Sequence, residues 1–380
     1  MPQAYIRSFL LISILSLFVV GCWDRQEIEE RMSATAIALD RDPSGYELTM
    51  QVPIPTQIAG GGGGGGGGGN GGGGGASAVD IFSAKGRTLI EVISSLERQS
   101  TKPIYLGNMQ LMLFGEKQAR QGIGSIFDMT KRNPEVRRQL WPVVVKGKAK
   151  DAIMTQTKLE QISSNYFRET LETGIKEEIV PNTYLGKVYV ELSTPSRQVP
   201  IINYFTPMKD KFEWSGLAVF DRDKMIGKIE AAEDINALLH MRYEKKGGYS
   251  SVSCPKEKGV IIFQPEKITR DVKISNRPEV QVNIEIWGIV VEKKCFYNLS
   301  GNQSLSALEN YLKRDYEKNA NRLIDLAQKK WKVDIFHFSE FARAYHPGLW
   351  KKVHWEKSFP QIPVRVHYKV KVRGVGGKVK

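Results

Sequence analysis

Histidine, cysteine and long apolar runs are all scarce in this 380-residue chain. The five histidines are His240, His337, His346, His354 and His367. No two of them stand at the close helical spacing of a zinc site, and none stands beside a cysteine ligand. Structural or surface roles are expected of all five. No Gly-x-Ser-x-Gly elbow and no nucleophilic-cysteine signature occur. No catalytic residue, cofactor or metal site is therefore nominated, and the chain is read as something other than an enzyme. A mean hydropathy of −0.32 excludes a polytopic membrane protein.

The one sustained apolar stretch, Phe9–Val20, holds twelve residues interrupted only by serine. As a helix it would span about 18 Å, against about 30 Å of bilayer hydrocarbon. It is too short to cross and remain, and it fits the apolar region of an export signal. The basic region ahead of it is thin, with only Arg7 and the amino terminus. The stretch runs into Val19-Val20-Gly21-Cys22, which resembles a bacterial lipobox. A membrane-embedded peptidase needs a small residue beside the cut, and Gly21 supplies it. The Cys22 thiol can then carry diacylglycerol, and its freed amine a further acyl chain. Two or more chains hold a protein stably, at about 0.8 kcal/mol per buried CH₂. Residues 1–21 are thus expected to be a lipoprotein signal peptide, with Val19, Val20 and Gly21 read by signal peptidase II. Cys22 is the expected lipid attachment site, at the start of a body outside the cytoplasm. The other two cysteines, Cys254 and Cys295, stand 41 residues apart with no recognisable spacing. Outside the cytoplasm they can pair; a buried pair of free thiols is the alternative.

Hydrophobic residues make up 41% of the chain, enough for real cores. The 55 basic residues outnumber the 41 acidic ones, for a net charge of +14. Such a balance suits an anionic partner, a phospholipid surface or a nucleic acid. Export favours an anionic membrane surface and argues against nucleic acid. A solvated basic surface without a specific partner is the plain alternative.

Alternation and turn residues predict a hairpin of Thr35–Leu39 with Tyr46–Pro53, joined by the turn formers of 40–45. Residues 60–75 are glycine except for Asn70. This tract buries nothing and carries the largest backbone entropy of any composition, so a disordered loop is expected. It lacks the Lys-Ser/Thr and helix of a phosphate loop. A strand near Val79–Ala84 precedes a helix opened by the capping box Thr88-x-x-Glu91. Further strands are expected over Ile104–Phe114, Leu140–Val145 and Val188–Leu192. Helices are expected over Lys117–Thr130, from Pro134, and over Lys150–Thr157 and Ser163–Glu172. The alternation suggests a mixed sheet with helices on one face. Trp214–Phe220 and Lys224–Lys228 form a second hairpin, followed by a helix near Ala232–Met241. Beyond Pro255, Val280–Ile286 reads as a strand. A long helix is expected from Ser306-x-x-Glu309 towards Trp331, and a short one near Ser339–Ala344. In the last strand, Val364, Val366, Tyr368, Val370 and Val372 alternate with Arg365, His367, Lys369, Lys371 and Arg373. One face of that strand is apolar and the other basic. The basic face meets lipid headgroups or a partner, or else it sits against acidic side chains of a neighbouring strand or faces water. The expected class is α+β, with largely antiparallel sheets. Three mixed domains follow the signal peptide: 22–205 with its polyglycine loop, a small middle unit 206–254, and 255–380 with the long helix.

Cys22-Trp23-Asp24-Arg25-Gln26-Glu27-Ile28 resembles the mature start of the Ger(x)C family, the C subunits of nutrient germinant receptors in endospore formers. The resemblance continues in order through Lys85-Gly86-Arg87-Thr88-Leu89, Tyr105-Leu106-Gly107-Asn108 and Leu113-Phe114-Gly115-Glu116. Arg132-Asn133-Pro134-Glu135-Val136-Arg137-Arg138 and Gly216-Leu217-Ala218-Val219-Phe220 follow. Asp223-Lys224-Met225-Ile226-Gly227 and Val372-Arg373-Gly374 complete it. Asn108 stands where many relatives would carry His, and the polyglycine tract is not a family feature. The resemblance implies a three-domain lipoprotein on the outer face of the spore's inner membrane. It also implies assembly with integral membrane A and B subunits, to couple nutrient sensing to germination. A solute-binding lipoprotein of a transporter is the alternative, and it would require two large lobes around a deep cleft.

Overall fold

The computed structural model describes residues 30–55, 78–254, 258–275, 277–295, 302–375 and 378–379. The polyglycine tract lies outside them. The N-terminal half supplies strands β1 (Met32–Ser33), β2 (Ala36–Asp42), β3 (Gly45–Pro53), β4 (Val79–Gly86), β5 (Ile104–Tyr105), β6 (Leu111–Gly115) and β7 (Trp141–Val145). Strands β8 (Ile201–Pro207), β9 (Phe212–Asp221) and β10 (Lys224–Ile229) follow. Eight of these form one sheet in the order β10-β9-β8-β7-β6-β2-β3-β4, while β1 and β5 make a short parallel ladder beside it. The two ends of the large sheet are antiparallel meanders. Its centre, β2-β6-β7-β8, is parallel. The parallel strands follow from helical crossovers: α2 (Glu116–Gln121) and α3 (Gly124–Arg132) join β6 to β7. α4 (Ala149–Met154), α5 (Ser163–Lys176) and α6 (Leu185–Ser193) join β7 to β8, and α1 (Leu89–Glu97) follows β4.

Helices cover this sheet on both faces, not on one. Ile37 and Leu39 pack with Val92, Phe127 and Val188 on one side. Ala36 and Ala38 pack with Ala152, Phe167 and Leu171 on the other. Central strands buried on both faces read as continuous apolar runs, such as Leu111-Met112-Leu113-Phe114. That is why alternation was faint there. The run expected over Ile104–Phe114 is split between β5 and β6. No helix begins at Pro134, where the chain only turns. The segment expected as a strand at Val188–Leu192 is helical. Leu185, Val188 and Tyr189 are its buried apolar residues, at i, i+3 and i+4, and this spacing outweighs the β-branched content of the segment.

The second sheet, β11 (Ser250–Ser253), β12 (Val260–Ile274), β13 (Val280–Lys293), β14 (Val364–Val375) and β15 (Lys378–Val379), runs in that order. All its pairs are antiparallel except β13-β14. Strand β12, not singled out in the sequence, is the longest partner of β13. Between the sheets lies α7 (Ala232–Leu238), which widens through Leu239–Tyr243. The long helix α8 (Asn302–Asp325) widens similarly through Leu326–Trp331 and packs on one sheet face through Leu308, Leu312 and Leu323. Then come α9 (Phe338–Tyr345), α10 (Pro347–Lys352) and α11 (Trp355–Ser358).

Residue 205 lies within β8, whose partner β9 continues the first sheet, while β11 belongs to the second. The hairpin of 206–254 therefore extends the first sheet, and its last strand opens the second. The two sheets share one apolar core: Leu217, Val219 and Ile229 join Leu308, Leu323 and Ile335. Cys254 and Cys295 form a disulfide that clasps the β12–β13 hairpin at its open end. The basic face of β14 meets acidic neighbours, through Lys369–Glu285 at 2.8 Å, Arg365–Glu279 at 2.8 Å and Lys371–Glu309 at 3.4 Å. These acidic partners come from the β13 side (Glu279, Glu285) and from α8 (Glu309), and the basic side chains stay largely exposed to water.

Candidate functional site at the junction of the two sheets

Cys22, Val19, Val20 and Gly21 lie outside the described residues. Among those described, charged side chains are buried together where α6, the 195–200 loop, the wide turn 239–243 and the segment 334–341 converge.

Helix α6 places Lys187 and Glu191 one turn apart on one face. The wide turn presents Arg242 and Tyr243. Arg242 donates to Glu191 Oε1 at 2.8 Å, to the Val199 carbonyl at 3.0 Å and to the Ile335 carbonyl at 2.8 Å. Both partners of this ion pair are 3% exposed. One guanidinium thereby ties three segments of both halves, which is the planar fork geometry that arginine alone offers. Removing either partner alone would strand a buried charge.

Around this pair, Glu340 accepts from Ser196 Oγ at 2.6 Å and from Arg343 at 2.6 Å, and pairs with Arg197 at 3.0 Å. Burial would raise its pKa, but these donors outweigh burial and hold it at about 2. Asp334 accepts from the backbone N–H groups of Phe336 and Ser339 and from Trp355 Nε1. Its pKa is raised, because burial exceeds the help of those donors. His337 Nε2 lies 3.3 Å from the Val199 carbonyl, and burial together with the nearby Arg242 keeps the ring neutral. The Lys187 ammonium stands 4.5 Å over the Tyr243 ring, and burial lowers its pKa to about 8. Two cavities open here. One, of about 250 Å³, is lined by Asp334, Trp350 and Trp355. The other, of about 270 Å³, is lined by Lys187, Glu191, Tyr243, Phe336 and Phe341.

Among the described residues no group of three or more His, Cys, Asp or Glu side chains is placed to hold a metal ion. No helix of the described residues is long and apolar enough to cross a membrane. The site was hidden in the sequence because α6 read as a strand. That reading concealed the one-turn spacing of Lys187 and Glu191, and nothing local pairs Glu191 with Arg242.

Comparison with known proteins gives the geometry its context. The sequence model described as "Spore germination protein N-terminal domain" matches residues 24–207. The one described as "Spore germination B3/ GerAC like, C-terminal" matches residues 215–376. The chain belongs to the Ger(x)C family of spore germination proteins. Spore germination protein KC of Bacillus subtilis (strain 168) is 25% identical to it, over 98% of this chain and 97% of that protein. Spore germination protein GerQC of Bacillus cereus is 25% identical, over 97% and 99%. The crystal structure of the GerBC protein shares the fold, with a TM-score of 0.56 and 18% identity over 88% of this chain and 96% of that one. The two Ger(x)C segments meet between β8 and β9, inside one sheet. The junction cluster takes Lys187 and Glu191 from the first segment and Arg242 and Glu340 from the second. Asn108, where His was expected from the family, donates to Ser33 Oγ at 2.7 Å and so serves the β1–β5 corner.

Proposed function

We propose that this chain is the lipid-anchored C subunit of a spore germinant receptor, assembling with integral membrane A and B subunits to couple nutrient sensing to germination. The observation that carries this reading is the span of the family match. It starts two residues after Cys22 and runs to residue 376. Signal peptidase II would cut after Val19-Val20-Gly21, and Cys22 would carry the lipid on the outer face of the spore's inner membrane. Only seven residues separate Cys22 from Glu30, where the described body starts. Fully extended, that link reaches under about 30 Å. A body so tethered keeps a net charge of +13 once Arg7 leaves with residues 1–21 (54 basic against 41 acidic residues), and stays against an anionic bilayer. Tethering raises its effective concentration beside membrane partners. The core shared by both sheets speaks against the alternative of a transporter's solute-binding lipoprotein, whose two lobes must close over a cleft.

Replacing Cys22 by Ala tests the anchor. The variant should leave the membrane fraction of spores, and nutrient germination should slow to the level of a deletion while vegetative growth stays normal. Membrane retention with normal germination, in a spore without a redundant receptor, would overturn the proposal.

A further inference from the structure

We propose that the 270 Å³ cavity between α6, the wide turn 239–243 and the segment 336–341 binds a small carboxylic acid that also carries a hydrogen-bond donor, of the α-hydroxy or α-amino class. Two unmet demands point there. Lys187 lines the cavity and has no ion pair among the described residues; its ammonium stands over the Tyr243 ring, with Glu191 one turn along the same helix. A half-buried ammonium with no carboxylate in ion-pair contact is a site for an anion. Glu191 also lines the cavity, and only its Oε1 is engaged, by Arg242. Its Oε2 is buried with no hydrogen-bond partner in the protein, as is the Tyr243 hydroxyl. An unmet buried acceptor is destabilising, and a ligand N–H or O–H would satisfy it. The ligand must therefore present an anionic oxygen to Lys187 and a donor to Glu191. Phe336 and Phe341 form an apolar wall for a short side chain. The volume lies just under the usual range for drug-sized ligands, about 300–1,000 Å³, which limits the ligand to a small metabolite.

The neighbouring 250 Å³ cavity makes no such demand, because both Asp334 oxygens already accept hydrogen bonds. The proposed site draws on both halves of the chain, so occupancy would strengthen the junction whatever the partners of the body.

Calorimetric titration of the full chain in detergent at pH 7 with acetate, glycolate and glycine tests this. Glycolate or glycine should bind saturably, at least about tenfold more tightly than acetate, in keeping with one added hydrogen bond to a charged group. Lys187→Met and Lys187→Gln should abolish binding with unchanged denaturation midpoints, and Lys187→Arg should retain it. No saturable binding by the wild-type chain, equal affinity for acetate, or undiminished binding by the Met and Gln variants would overturn the assignment.

Discussion

Histidine 240 shows how a single buried residue sets the behaviour of its surroundings. Its Nε2 lies 2.9 Å from the Lys246 carbonyl and therefore carries the proton, leaving Nδ1 to accept from the Tyr368 hydroxyl at 3.3 Å. Tyr316 and Tyr368 enclose the ring edge-on. Burial lowers its pKa from 6.5 to about 4. A histidine kept neutral in the fold is protonated more readily in the unfolded chain. Between pH 6.5 and 4 the unfolded state binds more protons, so stability falls as pH falls through that window. From pH 7 to 5 the loss from this residue is about 2 kcal/mol. His337 is also held neutral and acts in the same direction. Denaturant unfolding at both pH values checks this: His240→Gln should lose about 2 kcal/mol less than the wild-type chain over that interval. Identical pH slopes would contradict the assignment. None of this was legible in the sequence, where His240 was one of five unremarkable histidines.

Elements were legible where their signals are local. The hairpin of β2 and β3 closes over Pro43-Ser44 at the expected turn. Thr88 Oγ1 accepts from the Glu91 N–H at 3.2 Å, and Glu91 Oε2 accepts in turn from the Arg87 N–H, close to the capping-box form. The helix expected over Lys117–Thr130 is broken into α2 and α3 at Gly122. This residue takes φ +131°, and a Cβ on it would come within 2.8 Å of Asp223 Oδ2 from the β9–β10 turn. No helical periodicity foretells a break imposed by a turn about a hundred residues away. The pairing of Cys254 with Cys295 was equally open in the sequence, because their spacing says nothing of the hairpin that brings their Cα atoms to 6.5 Å. The crosslink closes a loop of 41 residues, and chain entropy assigns it about 4 kcal/mol. Reduction should lower the denaturation free energy by roughly that amount, with the loss centred on the second sheet. An unchanged midpoint after both thiols are shown to be free would contradict it. A disulfide is the pairing expected in an oxidising compartment, such as the proposed export would provide.

At the scale of the whole molecule, the class and the family were readable because both rest on ordered local motifs. The sheet-level partition was not. Motif spacing marks turns and helix starts, whereas β8 and β9 pair by edge-to-edge hydrogen bonding that leaves no trace in composition. The result is a body in which both family segments contribute to one sheet and meet again at the Arg242–Glu191 pair. Such a shared core suits the proposed role of a subunit that passes on a change felt elsewhere in an assembly. Affinity purification of the tagged chain from detergent-solubilised inner membranes of dormant spores, with the co-eluting proteins identified by mass spectrometry, tests that role most directly. Two polytopic membrane proteins should co-elute in fixed proportion with a chain that starts at a diacylated Cys22. A chain that elutes alone, or that keeps residues 1–21 and a bare thiol, would contradict it.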